Sequence, residues 1–220
     1  MRYDTINIEK SNDTAKKILN AAYTLYIEKG FSSVTNRDVA AYAGVNLGLI
    51  TYYFASKEKL GAEVMRLVSD KTYRKASLLI DSELSCAEKL YVQTILIWKL
   101  FNSQEYSFIK DFTRKHSSYT VSDAFHQLSL DVIEYYNLNI STAENNLYFT
   151  ALKGAELALF LKYNRKELDI TTENIVDTII SNYFFNIGLP NEEITSIIAN
   201  SKKILDKILL KINIDSDLNN

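Results

Sequence analysis

The chain reads as an all-α protein, with a small three-helix head ahead of a longer helical body. Three observations predict this. Apolar residues make up 47% of the 220 positions and recur at helical spacing along most of the length. Proline, which removes a backbone donor and breaks helix interiors, occurs once, at Pro190. Only six glycines are present, and no useful stretch alternates with period two, which argues against a loop-rich or sheet-based fold. This length is enough to bury a sizeable core.

Residues 1–12 are polar and mixed in charge and read as a loose arm. The first helix starts at Asp13, gathers Ile18, Ala22, Leu25 and Tyr26 on one face and ends at Gly30, before Phe31. The next stretch, Thr35 to Lys57, organises the rest of the head. Thr35 caps a short helix, and Asp38 three residues later completes a capping box. Val39, Ala40 and Ala43 supply its apolar face. Gly44 stands where a helix stops in the left-handed conformation, which costs glycine nothing. Val45 returns to the core, and Asn46 caps a second short helix from Leu47 to about Tyr53. Leu47 and Leu49 cannot both join Val45 and Ile50 in the core, so at least one is expected on the surface. Two helices joined through a glycine turn are the outline of a helix-turn-helix, whose second helix fits the major groove of DNA.

The body follows as a series of helices. Ser56 opens a long one reaching about Ile80, with Leu60, Val64, Leu67, Val68 and Lys71 at helical spacing. Further helices are expected from Ser85 to Phe101, from Ser103 to Lys115 and from Thr120 to about Leu138, the last opened by Thr120-x-x-Asp123. Ser141-x-x-Glu144 caps a helix reaching Tyr163. Thr171-Thr172-Glu173 begins one that stops near Gly188-Leu189-Pro190, and the final helix runs from about Asn191 to Ile212.

The run AKKILNAAYTLYIEKGFSSVTNRDVAAYAGVNLGLITYYFASKEKL resembles the amino-terminal domain of tetracycline-repressor-like (TetR family) regulators. The matching marks are Glu-Lys-Gly-Phe closing the first helix, Thr-x-Arg-Asp-Val-Ala, Ala-Gly-Val, Gly48, and Tyr-Phe-x-Ser-Lys-Glu. The remainder matches the family in length and helical character alone. Beyond the arm at 1–12 read from composition, the resemblance implies a DNA-binding domain at 13–58 and a ligand-binding and dimerisation domain at 59–220. It implies DNA contacts from Asn36 and Arg37 on the second helix, and from Asn46, Leu47, Gly48, Thr51, Tyr52 and Tyr53 on the third. Lys57 is the expected phosphate ligand. Gly48 also has a physical reason: without a side chain there, backbone and duplex can approach closely. Leu47 departs from the family pattern, which often has a polar or basic residue there, and Thr51 stands where tyrosine is frequent. An exposed Leu47 suits a thymine methyl, and a buried one suits a neighbouring helix.

In the body, the resemblance implies an effector cavity, for which Trp98, Phe101, Tyr106, Phe112, Phe125, Tyr148, Glu156 and Phe160 are the candidate lining. Tyr119 is a further aromatic of the same kind. Aromatic side chains at helical spacing are equally the substance of an ordinary core. Glu156 interrupts an apolar run, where it would meet a cationic ligand, pair across a subunit interface, or face solvent. For a homodimer, Ala151, Leu152, Ala155 and Leu159 with Ile175, Ile179 and Phe184 offer faces for a four-helix bundle.

Charge and composition narrow the classes. Residues 1–60 carry 8 basic and 6 acidic side chains and residues 61–220 carry 17 and 21, so a mildly basic head sits on an acidic body. Cys86 is the single cysteine, which precludes an intrachain disulfide and suggests a reducing compartment. MRYDTINIEKSND lacks an apolar signal core, and no segment approaches the roughly eighteen continuous apolar residues that span a bilayer, so the expected location is the cytoplasm, away from membranes. His116 and His126 lie ten residues apart with no supporting ligand pattern, so neither metal nor cofactor is expected. His-Glu-x-x-His, a phosphate loop and Cys/His pairing are all missing, which argues against an enzyme. The expected function is a homodimeric transcriptional regulator, a repressor by preference, that binds a palindromic double-stranded operator and answers to a small-molecule effector of unknown identity. The alternative is a DNA-binding protein on the same fold that needs no ligand and acts through a protein partner.

Overall fold

The computed structural model describes residues 13–79, 84–103, 106–116 and 123–211, and its regular structure there is entirely helical. Ten helices are described: α1 (Asp13–Lys29), α2 (Asn36–Ala43), α3 (Leu47–Phe54), α4 (Lys57–Leu79), α5 (Cys86–Asn102), α6 (Ser107–His116), α7 (Asp123–Tyr135), α8 (Thr142–Asn164), α9 (Thr172–Asn186) and α10 (Asn191–Lys211). The expected arm, Ile80, the Thr120 cap, Tyr119 and Ile212 lie outside the described residues. The helices form two compact units. One takes the chain up to Leu67 together with α6, and the other takes the rest, with the boundary inside α4.

In the first unit α2 packs on α1 and α3, and α6 lies against α1. The expected face of α1 is fully used: Ile18, Ala22, Leu25 and Tyr26 are all buried. Burial of Tyr26 drives its phenol well above the usual tyrosine range. Its ring meets Phe31 edge to face at 5.1 Å, and Phe31 meets Phe112 of α6 in the same way at 4.9 Å. These rings close over Gly61 on α4, where an added Cβ would lie 2.5 Å from Phe112 and 2.7 Å from Phe31. The glycine is therefore what lets α4 approach this aromatic group. Asp111 on α6 takes hydrogen bonds from the backbone N–H and the hydroxyl of Ser32.

The second unit is built around α5, which packs on α7, α9 and α10. From Leu90 to Trp98 every residue of α5 is buried, so this helix has no solvent face. Of its polar members, Thr94 donates to the Leu90 carbonyl at 2.8 Å and Gln93 donates to Ser77 at 3.3 Å, while Gln93 Oε1 is buried without a hydrogen-bond partner among the described residues. Tyr91 donates to Asp177 of α9 at 2.7 Å, which together with burial raises its phenol far above the ordinary value. Capping boxes open α5 (Ser85 with Glu88), α8 (Ser141 with Glu144) and α9 (Thr171 with Asn174).

Two boundaries differ from expectation. Ser103 does not open a helix; it is the extended residue that closes α5, and α6 begins at Ser107. Helix α7 stops at Tyr135, and Asn137 then takes a positive φ of 48°, which asparagine tolerates better than most residues. The residues offered for a subunit interface also divide. Leu152, Ile175, Ile179 and Phe184 are core residues of the unit, whereas Ala151 and Ala155 are exposed.

Candidate nucleic-acid interface

The helix-turn-helix is assembled from local chemistry. Thr35 caps α2: its hydroxyl accepts from the Asp38 N–H at 3.2 Å, and Asp38 accepts from the Thr35 N–H and hydroxyl at 2.7 Å each. The Thr35 bonds hold the Asp38 carboxyl below the usual aspartate range. At the other end Gly44 adopts φ 67°, with Gly44 N–H to Ala41 O at 3.3 Å and Val45 N–H to Ala40 O at 3.0 Å. These two bonds form a Schellman closure, which answers the last carbonyls of α2 and turns the chain in three residues. Asn46 then caps α3, accepting from the Gly48 N–H at 2.9 Å. Its acceptor is thus used within the turn, which leaves the amide Nδ2 as its donor.

Helix α3 is anchored by Ile50 and Phe54, both buried. Its other face is open. Tyr52 is 78% exposed and Leu47 40%, with Gly48 and Thr51 exposed as well. Leu47 is thus the member of the Leu47/Leu49 pair that goes to the surface, while Leu49 is half-buried. Tyr53 is half-buried, its ring edge-on to Tyr52 at 5.0 Å. No residue of α3 is charged. Any base reading by this helix therefore rests on hydroxyls, a backbone approach at Gly48 and an apolar contact at Leu47, with no bidentate arginine on guanine.

Cationic groups flank the helix instead. Arg37 is exposed on the first turn of α2. Lys57 opens α4, half-buried, with its ammonium 4.4 Å from the centre of the Phe31 ring. The Ser56 hydroxyl caps α4 by accepting from the Lys59 N–H at 3.2 Å. Between α3 and α4, Ala55 is held at φ 58° and ψ −44°, with Ser56 N–H bonded back to Phe54 O at 2.6 Å. This is a tight γ-type turn that a Cβ-bearing residue adopts at a cost. Asn36 is half-buried, and its Oδ1 is buried without a hydrogen-bond partner among the described residues. Only its amide N–H groups suit a phosphate oxygen. Tyr42 of α2, 58% exposed, was not singled out from the sequence. The signal was available, since it falls off the Val39–Ala40–Ala43 face.

The residues expected to line an effector cavity fall into separate groups. Tyr106 and Phe112 belong to the first unit, where Tyr106 pairs with Tyr23 through their hydroxyls at 3.4 Å. In the second unit, Trp98 and Phe101 both pack edge to face on Phe160, at 5.6 and 6.3 Å. Glu156 is buried and bonded to Trp98, so of its three expected settings solvent is excluded. Phe125 lies under Lys153, and Tyr148 is half-buried. Among the described residues no group of three His, Cys, Asp or Glu side chains could hold a metal ion, and no helix is long and apolar enough to cross a membrane.

Comparison with known proteins places this geometry. The profile described as bacterial regulatory proteins, tetR family, matches residues 18–64, which is the stretch from α1 into α4. The repressor KstR2 of Mycolicibacterium smegmatis is 32% identical over 74 residues, 34% of this chain and 36% of that protein. The regulator PksA of Bacillus subtilis is 34% identical over 56 residues, 26% of this chain and 27% of that one. The chain thus matches about a third or less of the length of these relatives. Among solved structures, RolR in complex with resorcinol superposes with a TM-score of 0.57 at 14% identity, covering 85% of this chain and 93% of that one. A TetR transcriptional regulator from Rhodococcus sp. RHA1 gives 0.54 at 17% identity, covering 83% and 100%. These two likenesses concern the fold and extend it over the body. Residues 18–64, which hold the capped helix-turn-helix, are thus similar to the bacterial regulatory proteins of the tetR family.

Proposed function

We propose that the protein is a homodimeric, ligand-responsive transcriptional regulator, a repressor by preference, acting in the cytoplasm on a palindromic operator. The observation that carries this reading is the uncharged, exposed face of α3 between two flanking cations. Residues 13–58 act as the DNA reader, and residues 59–220 as the effector-binding and dimerising body. In the reader, Leu47, Gly48 and Thr51 meet the major groove, and the Tyr52 hydroxyl holds a phosphate. Asn36, Arg37, Asn46, Tyr53 and Lys57 hold phosphates and fix the register.

Two protomers pair through α8 and α9. The supporting feature is an exposed strip of small and apolar side chains on α8, namely Leu147, Ala151, Gly154, Ala155 and Ala158, with the exposed Phe185 on α9. Small residues allow helices to approach closely, and a two-fold axis makes such a patch self-complementary. Two readers in one dimer then address half-sites about 34–36 Å apart. An effector selects a body conformation in which that spacing is lost. No enzymatic role is assigned.

The test is sedimentation of the purified protein, alone and with DNA fragments enriched by it, with Ala155→Glu as the interface variant. A dimer that binds DNA in the wild type, and a monomer with at least tenfold weaker DNA binding in the variant, is the expected result. A monomer that binds DNA unaided would overturn the dimer reading.

A further inference from the structure

Inside the second unit, one ion pair has the composition of a ligand site with its ligand already present. Glu156 on α8 is 2% exposed. One carboxylate oxygen accepts from Trp98 Nε1 at 2.9 Å, and the other meets the Lys153 ammonium at 2.6 Å. The same ammonium lies 4.1 Å from the centre of the Phe125 ring and 5.8 Å from that of Phe149. A cation held between a buried carboxylate and aromatic faces is how proteins recognise organic ammonium ions. Here the occupant is a side chain of the protein itself.

The two partners differ in reach and in burial. The Lys153 side chain is 11% exposed and reaches the site on a flexible four-carbon stem, while the Glu156 side chain is 2% exposed and is held by the indole as well. A cation in the lysine's place keeps the buried carboxylate compensated, which is the exchange of least cost. An anion seeking Lys153 would meet Glu156 at the same point, and a neutral molecule would require the carboxyl to take up a proton.

We propose that the effector is a small organic ammonium ion that displaces Lys153 from the Glu156–Phe125–Phe149 cage. This rests on the ligand-responsive reading above and names the chemical class of its effector. Exchange of one cation for another keeps the carboxylate compensated throughout. The released lysine moves toward solvent along α8.

Trp98 is the only tryptophan, so intrinsic fluorescence reports on this cage directly. The full-length protein is titrated with hexylammonium and with benzyltrimethylammonium, and with hexanoate and hexanol as charge controls. Saturable change in Trp98 emission is expected with at least one of the cations and with neither control. Lys153→Ala, which removes the resident competitor, should bind that cation at least tenfold more tightly, and Glu156→Gln at least tenfold more weakly. Circular dichroism checks that each variant is folded. Should Lys153→Ala not fold, Lys153→Met keeps the bulk of the stem and should tighten binding in the same direction. Saturation by hexanoate, failure of both cations, or cation affinity unchanged or weakened in the folded Lys153 variant overturns the proposal. Binding to genomic DNA fragments, followed in the same titration, separates the two levels. Cation bound at Trp98 with DNA retained overturns the proposal that this cation class is the effector, while the regulatory reading stands. DNA released by some other compound, with Trp98 emission unmoved by both cations, overturns the cation site and leaves the regulatory reading in place.

Discussion

Replacing Gly61 with alanine sets two effects of similar size against each other. Alanine in a helix interior is favoured over glycine by about 1 kcal/mol, so on propensity alone the variant gains stability. Against this, the new Cβ would lie 2.5 and 2.9 Å from two Phe112 carbons and 2.7 Å from a Phe31 carbon. Carbon atoms in contact sit at roughly 3.5–4.0 Å, so both rings must retreat by about 1 Å. They have little room to do so. Both are buried, they clasp each other edge to face at 4.9 Å, and Phe31 is braced by Tyr26 on its other side. Overpacking of this kind costs about 1–3 kcal/mol, and a disturbed aromatic pair adds about 0.5–1.5 kcal/mol. The net expectation is a loss of about 0.5–3.5 kcal/mol in the first unit. Amide hydrogen exchange is the suitable assay, because it resolves the opening of α1, α4 and α6 separately from the second unit. Protection there should fall roughly tenfold, since a loss of ~1.4 kcal/mol is a factor of ten. Adding Phe112→Leu should recover much of it. DNA affinity should fall as well, because Phe31 also supports the Lys57 ammonium. Protection that rises in Gly61→Ala would refute the reasoning and show that the rings yield freely.

Other expected outcomes concern the reader. Gly48→Ala should fold as well as the wild type or better, since its Cβ meets only Asn46 Oδ1 at an ordinary 3.5 Å; a DNA-binding assay beside a thermal melt should show affinity lost with stability intact. Lys57→Ala should weaken binding to all sequences alike and lower the slope of log K against log salt by about 0.9, the value for one phosphate contact. Tyr52→Phe should weaken binding uniformly if its hydroxyl holds a phosphate, and a change of sequence preference would reassign it to a base. The Asp38 carboxyl is held low by Thr35, so its folded value lies below its unfolded one. Its contribution is therefore complete above the ordinary carboxylate range and is lost as pH falls through the lowered value. In Thr35→Val, carbon NMR of the Asp38 carboxyl should show titration moving back up toward the ordinary value, with α2 losing exchange protection at higher pH than in the wild type.

What could be read from the sequence was what local chemistry decides. The boxes at Thr35 and Ser141 involve partners three residues apart, and Gly44 marks its own turn, so these elements were legible. Ser85-x-x-Glu88 carries the same signal ahead of its apolar run. The expected start of α6 at Ser103 lies four residues early because Ser103, a plausible cap, is consumed in closing α5. Long-range packing was not legible. Nothing in the neighbourhood of Gly61 tells a close helix approach from a tolerated glycine, because its partners lie thirty and fifty-one positions away, at Phe31 and Phe112. For the same reason Ile175, Ile179 and Phe184 looked like a free stripe, yet they form core, since spacing gives a face but not what covers it. Glu156 stood out as an interruption of an apolar run, but its bonds to Trp98, fifty-eight positions away, and to Lys153 needed the fold.

The central claim, that α3 and its flanking cations read DNA as a two-fold pair, is tested most directly by selection of genomic fragments on the purified protein. The bound DNA is sequenced, and the selection is repeated with Gly48→Ala. A shared palindrome with half-sites about one helical turn apart is the predicted result, with enrichment lost in the variant. Fragments that show no common motif even at low salt, or the same motif bound equally by Gly48→Ala, would contradict it.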